Sequence, residues 1–170
     1  MKKDRMATHQ WDSSVDPEVV PLFLSLQWAQ GQSLCHMRPI LAEYGLSMAE
    51  FDVLATLRNA PEPHRMTPSQ VQEEMVITSG GLTKIMLQLE TRGLVGRLRQ
   101  EGDMRVKPVC LTAAGKALIE AAMAQVVGAS GAWVRRVLDR DEIATLTRLL
   151  GKLADSQDSP GDAPGRPSPG

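Results

Sequence analysis

Apolar residues recur at helical spacing along most of this chain, and turn residues divide the pattern into segments. Six helices are expected, at about residues 16–43, 47–59, 67–75, 79–92, 112–137 and 139–153. Each begins at a residue whose side chain can accept a hydrogen bond from a free backbone N–H. These residues are Asp16, Ser47, Thr67, Ser79, Thr112 and Asp139.

Two short β-strands are expected between the fourth and fifth helices, at about residues 94–98 and 106–111, with a turn at residues 100–103. A two-stranded hairpin is not stable by itself in water, so it must pack on the preceding helix. Two short helices followed by such a hairpin form a winged helix-turn-helix, in which the hairpin is the wing. The expected fold class is therefore mainly α with a small β wing.

The fourth helix has one apolar and one polar face. Its apolar residues fall at positions i, i+3, i+4 and i+7, which predicts a single buried stripe: Leu82, Ile85, Met86 and Leu89. The rest of the helix surface carries Ser79, Gly80, Thr83, Lys84, Gln88 and Thr91. Leu87 falls near the middle of this exposed side, and the pattern gives no reason for an apolar residue there.

Charge is unevenly distributed along the chain. The 170 residues suit one domain, and the net charge of −1 taken alone argues against nucleic acid. Residues 82–107, however, hold six positive and three negative side chains, a net charge of +3. A local basic stripe is typical of a DNA-binding module, although a merely solvated surface would fit the charge equally well.

Several other classes of protein are disfavoured. Cys35 and Cys110 form neither a disulfide framework nor a metal motif, and the chain is expected to be cytoplasmic. Cys110 is expected in the core, and Cys35 is expected to be a buried structural thiol, with a redox sensor as the alternative. No apolar run reaches the roughly 18 residues of a membrane span, and the polar N-terminus has no signal-peptide core. Without a phosphate loop, zinc spacing or nucleophile motif, no enzyme, metal or cofactor is expected.

Five motifs, in order, resemble the MarR family of bacterial transcription regulators. They are LSMAEFDVLATL at residues 46–57, SGGLTK at residues 79–84, LE-x-x-GLV at residues 89–95, Asp103-Met-Arg105, and Leu111-Thr-Ala-Ala-Gly115. The similarity covers roughly residues 17–153. Any one motif is weakly specific, whereas five at the family's spacing are strongly so.

The resemblance implies a six-helix homodimer that binds a palindromic operator in double-stranded DNA. Residues 16–44 and 112–155 would form the dimerisation lobe, and residues 45–111 the DNA-binding lobe. Residues 1–15 would be a flexible extension, and the Pro- and Gly-rich residues 156–170 a disordered tail. The helix from Ser79 would enter the major groove and the wing the minor groove, and a small phenolic or anionic ligand would release the DNA.

Ten residues are candidates for DNA contact: Thr67, Ser69, Ser79, Gly80, Thr83, Lys84, Arg99, Asp103, Arg105 and Lys107. Gly80 would let the backbone approach DNA closely, and hydroxyls at helix starts suit phosphate. Arg105, directed by Asp103, would enter a narrow minor groove. The alternative for this pair is an exposed ion pair of little energetic value.

Candidate ligand-binding residues are Trp11, Trp28, His36, Asp52 and Arg97. The phrases EFDVL at residues 50–54 and MTPS at residues 66–69 are similar to those of a urate-responsive subset, which uses a Trp, an Asp and two Arg. Trp11, Asp52 and Arg97 match three of these, but Ile85 stands where the second Arg belongs, which argues against urate itself. Asp52 is either solvent-facing or paired with Arg97, and a lone histidine such as His36 is more often a packed core or interface residue than a ligand.

Two other functions stay open at this point. A winged helix can bind protein rather than DNA, and a regulator can repress constitutively with no effector. The sequence identifies neither the operator nor the effector, and it does not distinguish a repressor from an activator.

Overall fold

A computed structural model describes residues 16–75, 79–97 and 108–155 of the chain. In these ranges the helices are α1 (Val19–Glu43), α2 (Met48–Asn59), α3 (Pro68–Glu74), α4 (Ser79–Thr91), α5 (Ala113–Arg135) and α6 (Arg140–Ala154). The strands are β1 (Arg65–Met66), β2 (Val95–Arg97) and β3 (Val109–Leu111). The predicted class, mainly α with a small β wing, is confirmed.

Short-range hydrogen bonds explain where the helices begin. Ser47 caps α2, because its hydroxyl accepts from the backbone N–H of Glu50 while the Glu50 carboxylate accepts from Ser47. Thr67 and Gln70 form the same reciprocal pair at α3, and Asp139 and Glu142 form it at α6. Each pair satisfies backbone N–H groups that the helix itself leaves free, so these predicted helix starts are confirmed.

The sheet has a strand that the sequence analysis missed. β1 pairs antiparallel with β3, and β3 pairs antiparallel with β2, which gives the order β1-β3-β2. The prediction of a sheet with only two strands was therefore incomplete. β1 has only two residues, too few to show an alternating pattern, yet it connects the base of the wing to the segment that follows α2.

The described residues up to Ser130 form one compact unit. Its core gathers one face from each of its helices and the inner side of the sheet. The most deeply buried side chains are Leu41, Val53, Leu54, Leu57, Val71, Met86, Leu89, Val109 and Ile119. In α4, Leu82, Met86 and Leu89 are buried and Ile85 is half-buried, which confirms the predicted stripe.

The start of α5 packs directly against the start of the wing. The backbone N–H of Thr112 donates to the Leu94 carbonyl at 3.1 Å, and the Thr112 hydroxyl donates to the Gly93 carbonyl at 2.8 Å. The same hydroxyl oxygen accepts from Gly115 N at 3.0 Å. A Cβ on Gly115 would lie only 1.9 Å from the Leu94 oxygen. The Leu-Thr-x-x-Gly motif is thus a close backbone contact that requires glycine.

By length and composition alone, α5 is a helix of the described residues that could cross a membrane. It contains no uninterrupted apolar run of about 18 residues, because Lys116 and Glu120 lie within it. One side of this helix packs into the core, where Ile119 and Ala122 are buried. Two of its charged side chains form ion pairs with α2 and with the loop that follows it: Glu120 with Arg58 at 2.6 Å and Lys116 with Glu62 at 2.8 Å.

The described residues from Gly131 form a second compact unit that contains α6. The apolar stripe predicted for α6 is present, but most of it is exposed in the single chain: Leu146, Leu149, Leu150 and Leu153.

In the first unit, α1 likewise exposes Val19, Leu22 and Phe23. Cys35 on α1 is also exposed, so the prediction of a buried thiol was wrong for the single chain, whereas Cys110 is half-buried in β3. The sequence pattern reports which face of a helix is apolar and not what covers it.

Candidate nucleic-acid interface

The outward face of α4 is the centre of the candidate interface. Gly80, Thr83 and Lys84 are exposed, and they lie on the side of the helix opposite the buried Leu82–Met86–Leu89 stripe. Among the residues that the structure describes, no atom outside the adjoining backbone of α4 would come within 4 Å of a Cβ on Gly80. The described packing therefore does not require glycine at this position, which leaves room for an external partner to approach the backbone.

α3 supplies the second predicted contact. Thr67 is half-buried, and its hydroxyl oxygen accepts from Gln70 N at 3.2 Å, so this oxygen is already used to cap α3. Its hydroxyl hydrogen can still be donated. Ser69 is exposed, and the burial of Val71 on the opposite side fixes the direction in which it points.

Ion pairs reduce the positive charge counted in the sequence. Arg92 Nη1 donates to Glu50 Oε1 at 2.8 Å, and Arg97 Nε donates to the carboxylate of Glu90. Lys84 has no ion pair within the part of the chain that the structure describes. On the described part of the basic stripe, the charge available to an external anion is therefore concentrated at the start of α4.

The Arg92–Glu50 pair holds the end of α4 against the start of α2. Burial would raise the pKa of Glu50, but hydrogen bonds from Ser47 and the Arg92 guanidinium outweigh it and hold the pKa below its usual range. The capping role of Glu50 was visible in the sequence. Its contact with Arg92 was not, because the two residues are far apart along the chain.

The tip of the predicted wing lies outside the described residues. This applies to Arg99, Asp103, Arg105 and Lys107, whose predicted DNA contacts remain predictions, and to the side chain of Ser79. The base of the wing is described, and it is the antiparallel pair of β2 and β3 with Arg97 opposite Val109.

The predicted ligand residues lie on three elements. Trp28 and His36 are half-buried on α1, eight residues apart, which corresponds to about 12 Å along a helix. Asp52 is exposed on α2, where neighbouring protein atoms still desolvate it enough to raise its pKa. Of the two alternatives left open for Asp52, pairing with Arg97 is not observed, because Arg97 binds Glu90 instead. Trp11 lies outside the described residues.

A cleft of about 370 Å³ lies elsewhere, between the end of α2, β1 and α3. Its polar lining includes Thr56, Asn59, Arg65, Gln70 and Glu74, and none of the predicted ligand residues contributes to it. The sequence analysis missed this cleft because β1, which forms one of its walls, was itself missed.

Sequence comparison places this geometry among known regulators. The MarR family model matches residues 46–107. The chain is 40% identical over 80 residues to the HTH-type transcriptional regulator PecS of Dickeya dadantii (strain 3937). This match spans 47% of this chain and 48% of PecS, so the chain spans about half the length of this relative. It is 30% identical over 118 residues to the HTH-type transcriptional regulator PrsX of Escherichia coli, which covers 68% of this chain and 70% of PrsX.

Solved structures give the same result for the fold. The structure of a cysteine-to-serine mutant of MarR from E. coli complexed with operator DNA is similar, with a TM-score of 0.69 and 29% identity, over 80% of this chain and 95% of that one. NadR in complex with 4-hydroxyphenylacetate has a TM-score of 0.66 and 26% identity, over 88% of this chain and 99% of NadR. The winged helix, the motifs and these matches together show that this chain belongs to the MarR family.

Proposed function

We propose that this protein is a sequence-specific DNA-binding transcription regulator, without enzymatic activity, that acts in the cytoplasm as a repressor. The outward face of α4 is the main support. This face presents the Lys84 ammonium, an exposed Thr83 and a backbone at Gly80 that carries no side chain. The opposite face of α4 is fixed by its buried side chains, which pack in the core. The related MarR structure, solved with operator DNA, uses the same fold.

A homodimer supplies a second copy of α4 for the other half of the operator. We assign residues 16–44 and 112–155 to the dimerisation lobe and residues 45–111 to the DNA-binding lobe. In support, α1 and α6 each expose large apolar side chains in the single chain, and such surface is commonly covered by a partner. Two copies related by a twofold axis would bind a palindrome whose half-sites are about one helical turn of DNA apart.

The contacts of each copy follow from its elements. The start of α4 enters the major groove, where Ser79, Gly80, Thr83 and Lys84 contact bases or phosphates. Thr67 and Ser69 at the start of α3 bind a phosphate. Arg105, paired with Asp103, enters the minor groove, and Arg99 and Lys107 contact flanking phosphates.

A small phenolic or anionic effector releases the DNA. NadR was solved with 4-hydroxyphenylacetate, which is both a phenol and a carboxylate. In this chain Trp11, Trp28, His36, Asp52 and Arg97 form the proposed effector site. Because Arg97 binds Glu90 on α4, an anion that competes for the Arg97 guanidinium would free a carboxylate on the recognition helix itself.

DNA selection tests the proposal. Duplexes that bind the full chain are selected from a random pool, and the expected product is a palindrome of about 20 base pairs. Lys84→Ala and Arg105→Ala should each bind it at least about tenfold more weakly with an unchanged melting temperature, as expected for the loss of a contact to a charged group. Lys152→Ala, an exposed lysine on α6, is the matched control and should bind normally.

Failure to enrich any sequence would overturn the proposal in favour of a protein-interaction module. If a palindrome is selected but no phenolic or anionic compound releases the protein from it, the protein is a constitutive repressor.

A further inference from the structure

Leu87 lies on the side of α4 that is proposed to face DNA, where its side chain does not contribute to the hydrophobic core. Its side chain is 62% exposed, and the buried stripe of α4 lies on the opposite side of the helix. A single exposed leucine is ordinary in itself. The position is informative, because helical spacing places Leu87 in line with Gly80, Thr83 and Lys84.

The distance along the helix suits one additional base contact. Leu87 is four residues beyond Thr83, which corresponds to about 6 Å along the axis. Successive base pairs are about 3.4 Å apart, so Leu87 lies roughly two base pairs further along the groove than Thr83. It therefore falls within the same half-site, one turn of α4 further toward the C-terminus than Thr83.

The two charged groups next to Leu87 are paired with each other. A shallow depression of about 360 Å³ contains Leu87 together with Glu50, Gln88, Thr91 and Arg92. Glu50 and Arg92 form an ion pair with each other at 2.8 Å, and the Thr91 hydroxyl donates to the Leu87 carbonyl at 2.8 Å. Hence the group offered outward at this turn is the leucine side chain rather than a charge.

In the major groove, the apolar group on the base edges is the C5-methyl of thymine. We propose that Leu87 is a specificity-determining residue that packs on the methyl group of one thymine in each half-site. This inference rests on the proposed DNA-binding function and adds a base preference that polar contacts from Thr83 and Lys84 do not supply.

Replacing thymine with deoxyuridine removes only this methyl group. In the selected duplex, each thymine is replaced singly, and the dissociation constant is measured for the wild type, Leu87→Ala and Leu87→Met. For the wild type, one position per half-site should lose about fourfold in affinity, the value of one methyl group taken out of water. Leu87→Ala should bind thymine and deoxyuridine equally there, whereas Leu87→Met, which stays apolar, should keep most of the preference.

The outcomes separate this inference from the proposed function. If no duplex is selected, the proposed function fails first. If a duplex is selected but no thymine is methyl-sensitive, or Leu87→Ala keeps the wild-type pattern, the inference is wrong and the regulator remains. Leu87→Gln is a polar replacement that should also lose the preference for thymine. Because the Leu87 side chain is exposed, Leu87→Gln and Leu87→Ala should both have the melting temperature of the wild type.

Discussion

Replacing Gly115 with alanine would place a methyl group against the backbone at the start of the wing. The new Cβ would lie 1.9 Å from the Leu94 oxygen, and ordinary contact begins at 3.4 Å, so one of the two must move by about 1.5 Å. The obstacle is backbone held by a hydrogen bond from Thr112 N at 3.1 Å, and not a flexible side chain. A shift of that size breaks the hydrogen bond.

The expected loss of stability follows from these terms. Overpacking costs about 1–3 kcal/mol, and losing the hydrogen bond adds about 1 kcal/mol. The better helix propensity of alanine returns up to about 1 kcal/mol. The net destabilisation is about 1–3 kcal/mol, which lowers the melting temperature by about 2–12 °C for a chain of this size.

Thermal unfolding followed by circular dichroism measures this difference. Gly128→Ala is the matched control, because Gly128 lies on the same helix and, outside the adjoining helix backbone, no described atom lies within 4 Å of the position of its Cβ. The control should melt at or slightly above the wild-type temperature. Equal melting temperatures for Gly115→Ala and Gly128→Ala would refute the reasoning and show that the contact between α5 and the wing adjusts freely.

Three further predictions concern single substitutions. Gly80→Ala should raise thermal stability slightly through helix propensity, yet weaken binding to the selected duplex. Equal binding would show that DNA does not approach this backbone. The pKa of Glu50 lies below its usual 4.5, so the ionised carboxylate contributes its full stabilisation to the folded state above pH 4.5. This contribution is lost as the pH falls through the lower pKa of the folded state, and the unfolding free energy of Glu50→Gln, measured in urea across that range, should lack this pH dependence. Desolvation raises the pKa of Asp52 above 3.8, so its charge opposes folding at neutral pH; Asp52→Asn should unfold at higher urea than the wild type at neutral pH, with the difference closing below pH 3.8.

Features that depend on neighbours in the sequence were predicted well. The capping residues Ser47, Thr67 and Asp139 act within one helical turn, and the structure places them as expected. The buried stripe of α4 follows from helical spacing in the same way. For these elements the local pattern contains the whole physical cause.

Features that depend on distant residues were not predicted. The partners of Arg92 and Arg97 could not be read from spacing, and both arginines prove to be neutralised by glutamates. β1 is too short to show a pattern. Cys35 was expected to be buried because it lies in an apolar helix, but exposure is decided by what covers that helix.

The central claim is that a paired α4 binds a specific duplex through phosphate and base contacts. Its most direct test is the affinity of the full chain for the selected palindrome and for a scrambled duplex of equal composition, measured across a salt series. The palindrome should be preferred at every salt concentration, and log affinity should fall linearly with log salt, by about a thousandfold between roughly 50 and 200 mM if six phosphates are contacted. Equal affinity for both duplexes, or affinity that does not change with salt, would contradict it.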